Sequence, residues 1–197
     1  MPTFAELSRE FFDAEMADSP VHASRLGLTE YDDQLDDLSE AAFERRSQTD
    51  ASWLARFREV DSDELSFDDG IDRDLVISIL DGRRIVDDFV MWRRQPDTYL
   101  NPGLSGIFSL FLHRLRPMGE LVDAAISRLR AIPANLEDGT RNLRPELVPA
   151  IFLERAANQA RAGARYVREL LPAQVEDPEL SARLAEAGDA RDRKSVV

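Results

Sequence analysis

The chain has 197 residues, 43% of them hydrophobic, no cysteine and a formal net charge of −13. That length and apolar content suffice to bury a core, while the carboxylate excess excludes nucleic acid and membrane surfaces as expected partners. Without cysteine there is no disulfide framework, no thiolate nucleophile and no cysteine-based zinc site.

Met1 to Glu10 carry neither a basic n-region nor an apolar h-region, so no signal peptide is read there, and no apolar run is long enough to span a bilayer. A cytoplasmic protein is the expectation. Phe4, Leu7, Phe11, Phe12 and Met16 recur at helical steps and predict an amphipathic helix ending before Ser19-Pro20. A short second helix follows, with Asp18 or Ser19 as its cap, Pro20 in its first turn and Gly27 placed to stop it. Tyr31 to Leu38 reads as a loop. Ser39 is the next N-cap, opening a helix with Ala42, Phe43, Trp53, Leu54, Phe57 and Val60 on its apolar face and an interruption around Ser47 to Asp50. Asp61 to Gly70 reads as a connection.

The clearest helical pattern comes next, with Ile71, Leu75, Ile79, Val86, Phe89 and Val90 predicted to face the core. Gln95 to Pro102 reads as a loop, because each proline biases its predecessor away from helical angles, and Asn101-Pro102 then supplies an N-cap and first-turn pair. The helix so opened carries Leu104, Ile107, Phe108, Phe111, Leu112 and Leu115. Another holds Leu121, Val122, Ala125, Ile126 and Leu129 and ends at Ile132, with Pro133 starting a short separate turn. Pro145 to Leu171 predicts one long helix with Val148, Ile151, Phe152, Ala156, Ala160, Ala164 and Val167 inward. Asp177-Pro178 opens the last, carrying Leu180, Leu184 and Ala187. No segment alternates with period two. The fold class expected is all-α, a multi-helix array of antiparallel packed helices with no significant β-sheet.

Chemistry is sparse along this chain. The only two histidines, His22 and His113, are far apart in sequence and lack the ligand spacing of a zinc site, so each reads as an ordinary helix residue. No serine is marked as a nucleophile. Asp61-Ser62-Asp63-Glu64-Leu65-Ser66 begins like a calcium loop, but Leu65 and Ser66 stand where an oxygen ligand and a glycine are needed. Asp32, Asp33, Asp36 and Asp37 read as a solvated acidic loop. Asp72-Arg73-Asp74 heads a helix, and Arg73 is expected to fork onto Asp32 or Asp36 as a clasp. Tyr99, Asn101, Arg128 and Arg130 have the same architectural standing. No residue is assigned to catalysis, to a cofactor or to a metal.

Four blocks nevertheless make a combination: His22 to Ser39, Gly70-Ile71-Asp72-Arg73-Asp74-Leu75, Tyr99-Leu100-Asn101-Pro102, and Ser127 to Pro133 with Asn142-Leu143 after it. In order and spacing they resemble the opening portion of the bacterial family called domain of unknown function 885. The resemblance implies a longer, mostly helical protein similar to gluzincin metallopeptidases, whose HExxH-type zinc motif lies beyond the portion that this chain resembles. Zinc is therefore expected in full-length relatives and not in this chain, which should be inactive alone. The expected partner is the missing carboxyl-terminal half of its own chain, with self-association through exposed apolar faces as a consequence of its loss. A stand-alone helical protein-interaction module without enzymatic activity is the competing expectation.

Asp192-Arg193-Lys194-Ser195-Val196-Val197 is also what a common DNA sequencing adapter, GATCGGAAGAGCGTCGTG, encodes before an in-frame stop. Residues 1–191 are accordingly expected to be one helical amino-terminal portion, and 192–197 a non-native tail.

Overall fold

The computed structural model describes residues 3–192; of the tail expected over residues 192–197 only Asp192 lies among them, as the last residue of a helix, and 193–197 lie outside. Among the described residues there are eight α-helices and no strand, so the fold is all-α. The helices are α1 (Phe4–Asp18), α2 (Pro20–Arg25), α3 (Glu40–Arg58), α4 (Phe67–Asp88), α5 (Asp97–His113), α6 (Met118–Asn142), α7 (Ala150–Arg165) and α8 (Pro178–Asp192). None of them is long and apolar enough to cross a membrane.

Local chemistry sets most of the ends. Thr3 and Glu6 form a reciprocal capping box at α1, Ser39 accepts from the Ala42 N–H at α3, and Asp177 accepts from Glu179 and Leu180 at α8. Gly27, at φ +95°, ends α2. Its N–H donates to the Ser24 carbonyl and that of Leu28 to the Ala23 carbonyl, the paired bonds of a Schellman stop that needs a left-handed residue.

The predicted interruption at Ser47 to Asp50 is absent, and α3 is continuous. The connection before α4 is shorter than predicted, since Ser66 caps the helix by accepting from the Asp69 N–H and helical structure starts at Phe67. Prolines mark fewer boundaries than expected. α5 begins one turn before Asn101-Pro102 and runs through Pro102, and α6 runs through Pro133 without a break. In both helices the packing of an extensive buried face outweighs the loss of one backbone bond. The predicted helix from Pro145 to Leu171 is divided into a 3₁₀ turn, α7 and a π-type turn over Tyr166–Leu170. Ile151, expected inside, is 64% exposed.

Two apolar clusters organise the chain. Leu7, Trp53, Leu54, Phe57 and Leu80 gather α1, α3 and α4, with Phe11 edge-on to both Trp53 and Phe57. Ile107, Val122, Leu129, Val167, Leu171 and Leu184 gather α5, α6, the π-type turn and α8. The helix α2, the loop after it and a stack of Phe43 on Trp92, with centroids 5.1 Å apart, join the two.

The largest departure concerns α4. Its Val76, Ile77 and Leu80 face α1 and α3, whereas the predicted core face of Ile71, Leu75, Ile79, Val86 and Phe89 is open to solvent. The helix is apolar on two opposed sides, and periodicity alone does not tell which one the fold uses.

Candidate functional site

The most densely bonded polar region is the acidic loop between α2 and α3. Ser24, on α2, donates to Asp32 Oδ1 at 2.6 Å, and the Val21 N–H donates to Asp36 Oδ1 at 3.0 Å. From α6, Arg128 enters with no exposed surface. Its Nε donates to the Gln34 carbonyl (2.9 Å), Nη2 to the Tyr31 carbonyl (3.1 Å) and Nη1 to the Gly106 carbonyl of α5 (2.6 Å). At the carboxyl end of α6, Asn142 Nδ2 donates to the Leu38 carbonyl at 3.0 Å. Burial pushes the Arg128 guanidinium down to about 10, while the charges of Asp32, Asp36 and Asp33 hold it up, so it is a cation at neutral pH. Burial also raises Asp36, against the Val21 N–H that favours its charged form.

The clasp onto this loop is therefore Arg128. Arg73 instead donates from Nε to the Phe57 carbonyl (3.1 Å) and pairs with its neighbour Asp74 (2.8 Å). The expectation failed because α4 packs by its Leu80 face, which turns Arg73 onto α3. Tyr99 and Asn101 are architectural too. The Tyr99 hydroxyl donates to the Trp92 carbonyl at 2.7 Å, burial raises it to about 12, and the ring lies so close to Gly139 that a Cβ there would meet it at 2.8 Å. Asn101 bonds Gln159 across α5 and α7, beside the Asp97–Arg155 pair. Arg130 is exposed.

A cleft of about 940 Å³ lies among α1, α3 and α4. Trp53 and Val86 give it apolar wall, and Arg83 crosses it, with Nη1 2.9 Å from Glu15 Oε1 and 3.3 Å from Asp50 Oδ1. Burial raises the Asp50 carboxyl, and the charge of Arg83 works against that rise. At the cleft's other end Arg46 pairs with Asp18 and donates to the Asp37 carbonyl at 2.6 Å. These carboxylates are engaged by arginines rather than by a proton donor or nucleophile, and no histidine lines the cleft.

His113 is exposed but borders a void of about 10 Å³ with Ser24, Asp32 and Ser109, a collection that superficially resembles a Ser-His-Asp set. The hydrogen bonds refuse that role. The Ser24 hydroxyl is given to Asp32 and that of Ser109 to the Gly106 carbonyl at 3.0 Å, so neither is offered to the imidazole, and the void holds about one water. The acidic segment Asp61 to Ser66 forms a 3₁₀ turn in which Asp61 accepts from the Asp63 N–H. Among the described residues no group of three His, Cys, Asp or Glu could hold a metal ion, so the side chains present do not fit the zinc that the resemblance implies for longer relatives.

The family of bacterial proteins of unknown function designated DUF885 matches residues 20–196. The chain belongs to this family. Comparison with curated proteins finds no match. A solved structure from Shewanella oneidensis, provisionally described as a lipoprotein of unknown function, superimposes with a TM-score of 0.83 over 98% of this chain at 20% identity. At that identity the likeness concerns the fold. This DUF885 chain spans 36% of that longer chain. Three of the blocks that carried the family resemblance, residues 22–39, Tyr99 with its neighbours, and Arg128 with Asn142, lie in or beside the buried polar knot around Arg128, whereas the Gly70 to Leu75 block lies outside it on α4. That convergence depends on partners up to 104 residues apart in sequence, and the acceptors that Arg128 and Asn142 reach are backbone carbonyls, which leave no side-chain signal to read.

Proposed function

We propose that this DUF885 chain is a helical amino-terminal portion of a longer metal-dependent hydrolase of peptide or related amide bonds, and that it contributes a wall of the substrate channel rather than the chemistry. One observation carries the reading: the family-bearing residues that meet inside the protein meet in a knot where their polar groups are spent on backbone carbonyls and on one another. Groups used this way fix geometry and leave nothing to attack a substrate. The 36% span of the solved neighbour supports a longer whole. On this reading zinc, where a longer relative holds it, supplies activated water from ligands outside these residues. The cytoplasmic placement expected from the first residues belongs to the same proposal, and the provisional lipoprotein description of the neighbour weighs against it; cell fractionation of the native gene product decides between them.

The test begins with the genomic locus. An open frame that continues past Arg191 into an HExxH-type motif is the expected result, with peptide hydrolysis by the longer product that chelation abolishes and no hydrolysis by the chain alone. A frame ending naturally at Val197, or hydrolysis by the isolated chain, overturns the reading and leaves the interaction module in its place.

A further inference from the structure

The outward side of α4 is an unpartnered apolar stripe. Phe67, Ile71, Leu75 and Ile79 follow one another at four-residue steps and Phe89 continues the line past Gly82 and Val86, which border the α1–α3–α4 cleft; these five are between 44% and 83% exposed. The stripe runs about 33 Å along the helix. It stands directly opposite the Val76, Ile77 and Leu80 side, which is already filled by α1 and α3. A helix apolar on both faces is the middle of a three-layer packing.

The borders of the stripe say what covers it. Asp68 and Asp72 follow one edge at a four-residue step, and Asp74, Asp81 and Asp88 follow the other at seven-residue steps. Two of these acids are already paired, Asp74 with Arg73 at 2.8 Å and Asp81 with Arg58 of α3 at 2.6 Å and with Arg84 at 3.8 Å, whereas Asp68 and Asp72 on one edge and Asp88 on the other have no cation against them among the described residues. A second copy would bring like-charged edges together on molecules that each carry a net charge of −13. We infer that the stripe seats an amphipathic helix with an apolar face and Lys or Arg along both edges, supplied by the remainder of the longer polypeptide. The source rests on the proposed function, and on the fact that most of the solved neighbour's length lies outside the part this chain matches.

The experiment uses the 197-residue chain and two synthetic amphipathic helices with one leucine face, one edged by lysine and the other by glutamate. Fluorescence anisotropy should show the lysine-edged peptide binding about tenfold or more tightly than the glutamate-edged one, weakening with salt, and losing its affinity for L75D/I79D. Because both positions are exposed, circular dichroism should show that the variant keeps its helices. Peptides tiled along the downstream reading frame should then contain one that competes for the same face. Equal binding of the two probes, binding unaffected by L75D/I79D, or a salt-resistant dimer dispersed by that variant overturns the docking surface. A bound lysine probe with no competing downstream peptide overturns the assigned source. A reading frame that ends at Val197 sinks the proposed function by itself, whatever the probes do, so the two failures are told apart.

Discussion

Arg128 makes the strongest case for what single residues do in this protein. A fully buried guanidinium satisfies three carbonyls on two different segments, and no other side chain has enough fixed donors to replace it. R128A should therefore destabilise by roughly 3 kcal/mol or more, since it leaves buried acceptors unpaired and a hole behind. R128K should recover part of the loss at most, because an ammonium cannot span the three acceptors. Urea unfolding of the three proteins measures this, and R128K equal to the parent would remove the lock from the account. Asp36 gives a pH-dependent companion. Its folded pKa lies above its ordinary value because burial disfavours the charge, so the folded state binds a proton more readily than the unfolded one. The group's contribution is thus most favourable at low pH, and it declines as pH rises from the usual carboxylate range through the raised pKa. D36N removes the charge while keeping an oxygen for the Val21 N–H. Its stability relative to the parent should improve from about pH 4 to about pH 7, and a constant difference across that range would rule out burial as the cause.

At the scale of helices, close approach decides which glycines matter. α5 and α6 meet where Gly139 faces the Tyr99 ring, and a methyl group there would sit 2.8 Å from Cγ of an aromatic held by its hydroxyl bond to Trp92. G139A should cost about 1–3 kcal/mol by overpacking. Gly82 lies in mid-helix on α4 with nothing within 4 Å of a Cβ, so G82A should gain about 0.5–1 kcal/mol from helix propensity alone. Thermal or urea unfolding of the pair should give opposite signs. These helices also show where sequence reading works and where it stops. Ser39, Asp177 and Gly27 are legible as caps and stop because capping is local chemistry among residues a few positions apart. Pro102 and Pro133 mislead as boundaries, since the local rule is overridden when both sides of a proline bury an extensive face. The stripe on α4 is legible as apolar, but not as outward, because periodicity is blind to which of two opposed faces meets a neighbour. Arg128 is visible in the sequence only as a charge in a family-like block, and its purpose depends on carbonyls 94 and 97 residues away.

For the whole molecule the question is whether the two apolar clusters behave as one. Among the described residues the α1–α3–α4 cluster rests on five buried side chains, against fourteen in the cluster of α5, α6, the π-type turn and α8, so the first is the weaker on its own. What couples them is the loop held by Arg128, together with the seam where Phe43 stacks flat on Trp92, Arg93 reaches Glu40 at 2.5 Å and Tyr99 closes the aromatic edge. If the seam transmits stability, the parent should unfold in a single transition in which tryptophan fluorescence and far-ultraviolet dichroism coincide. Trp53 sits in the weaker cluster and Trp92 in the seam, so a W92F background leaves Trp53 as the sole reporter of the first cluster. Adding F43A to that background removes the stack while touching neither core directly. The Trp53 transition should then move to lower urea than the dichroism midpoint, because the smaller cluster loses the support it borrowed and opens first. Coincident midpoints in the double variant would mean that the Arg128-held loop alone binds the clusters into one cooperative unit, and R128A in the same background would then have to separate them.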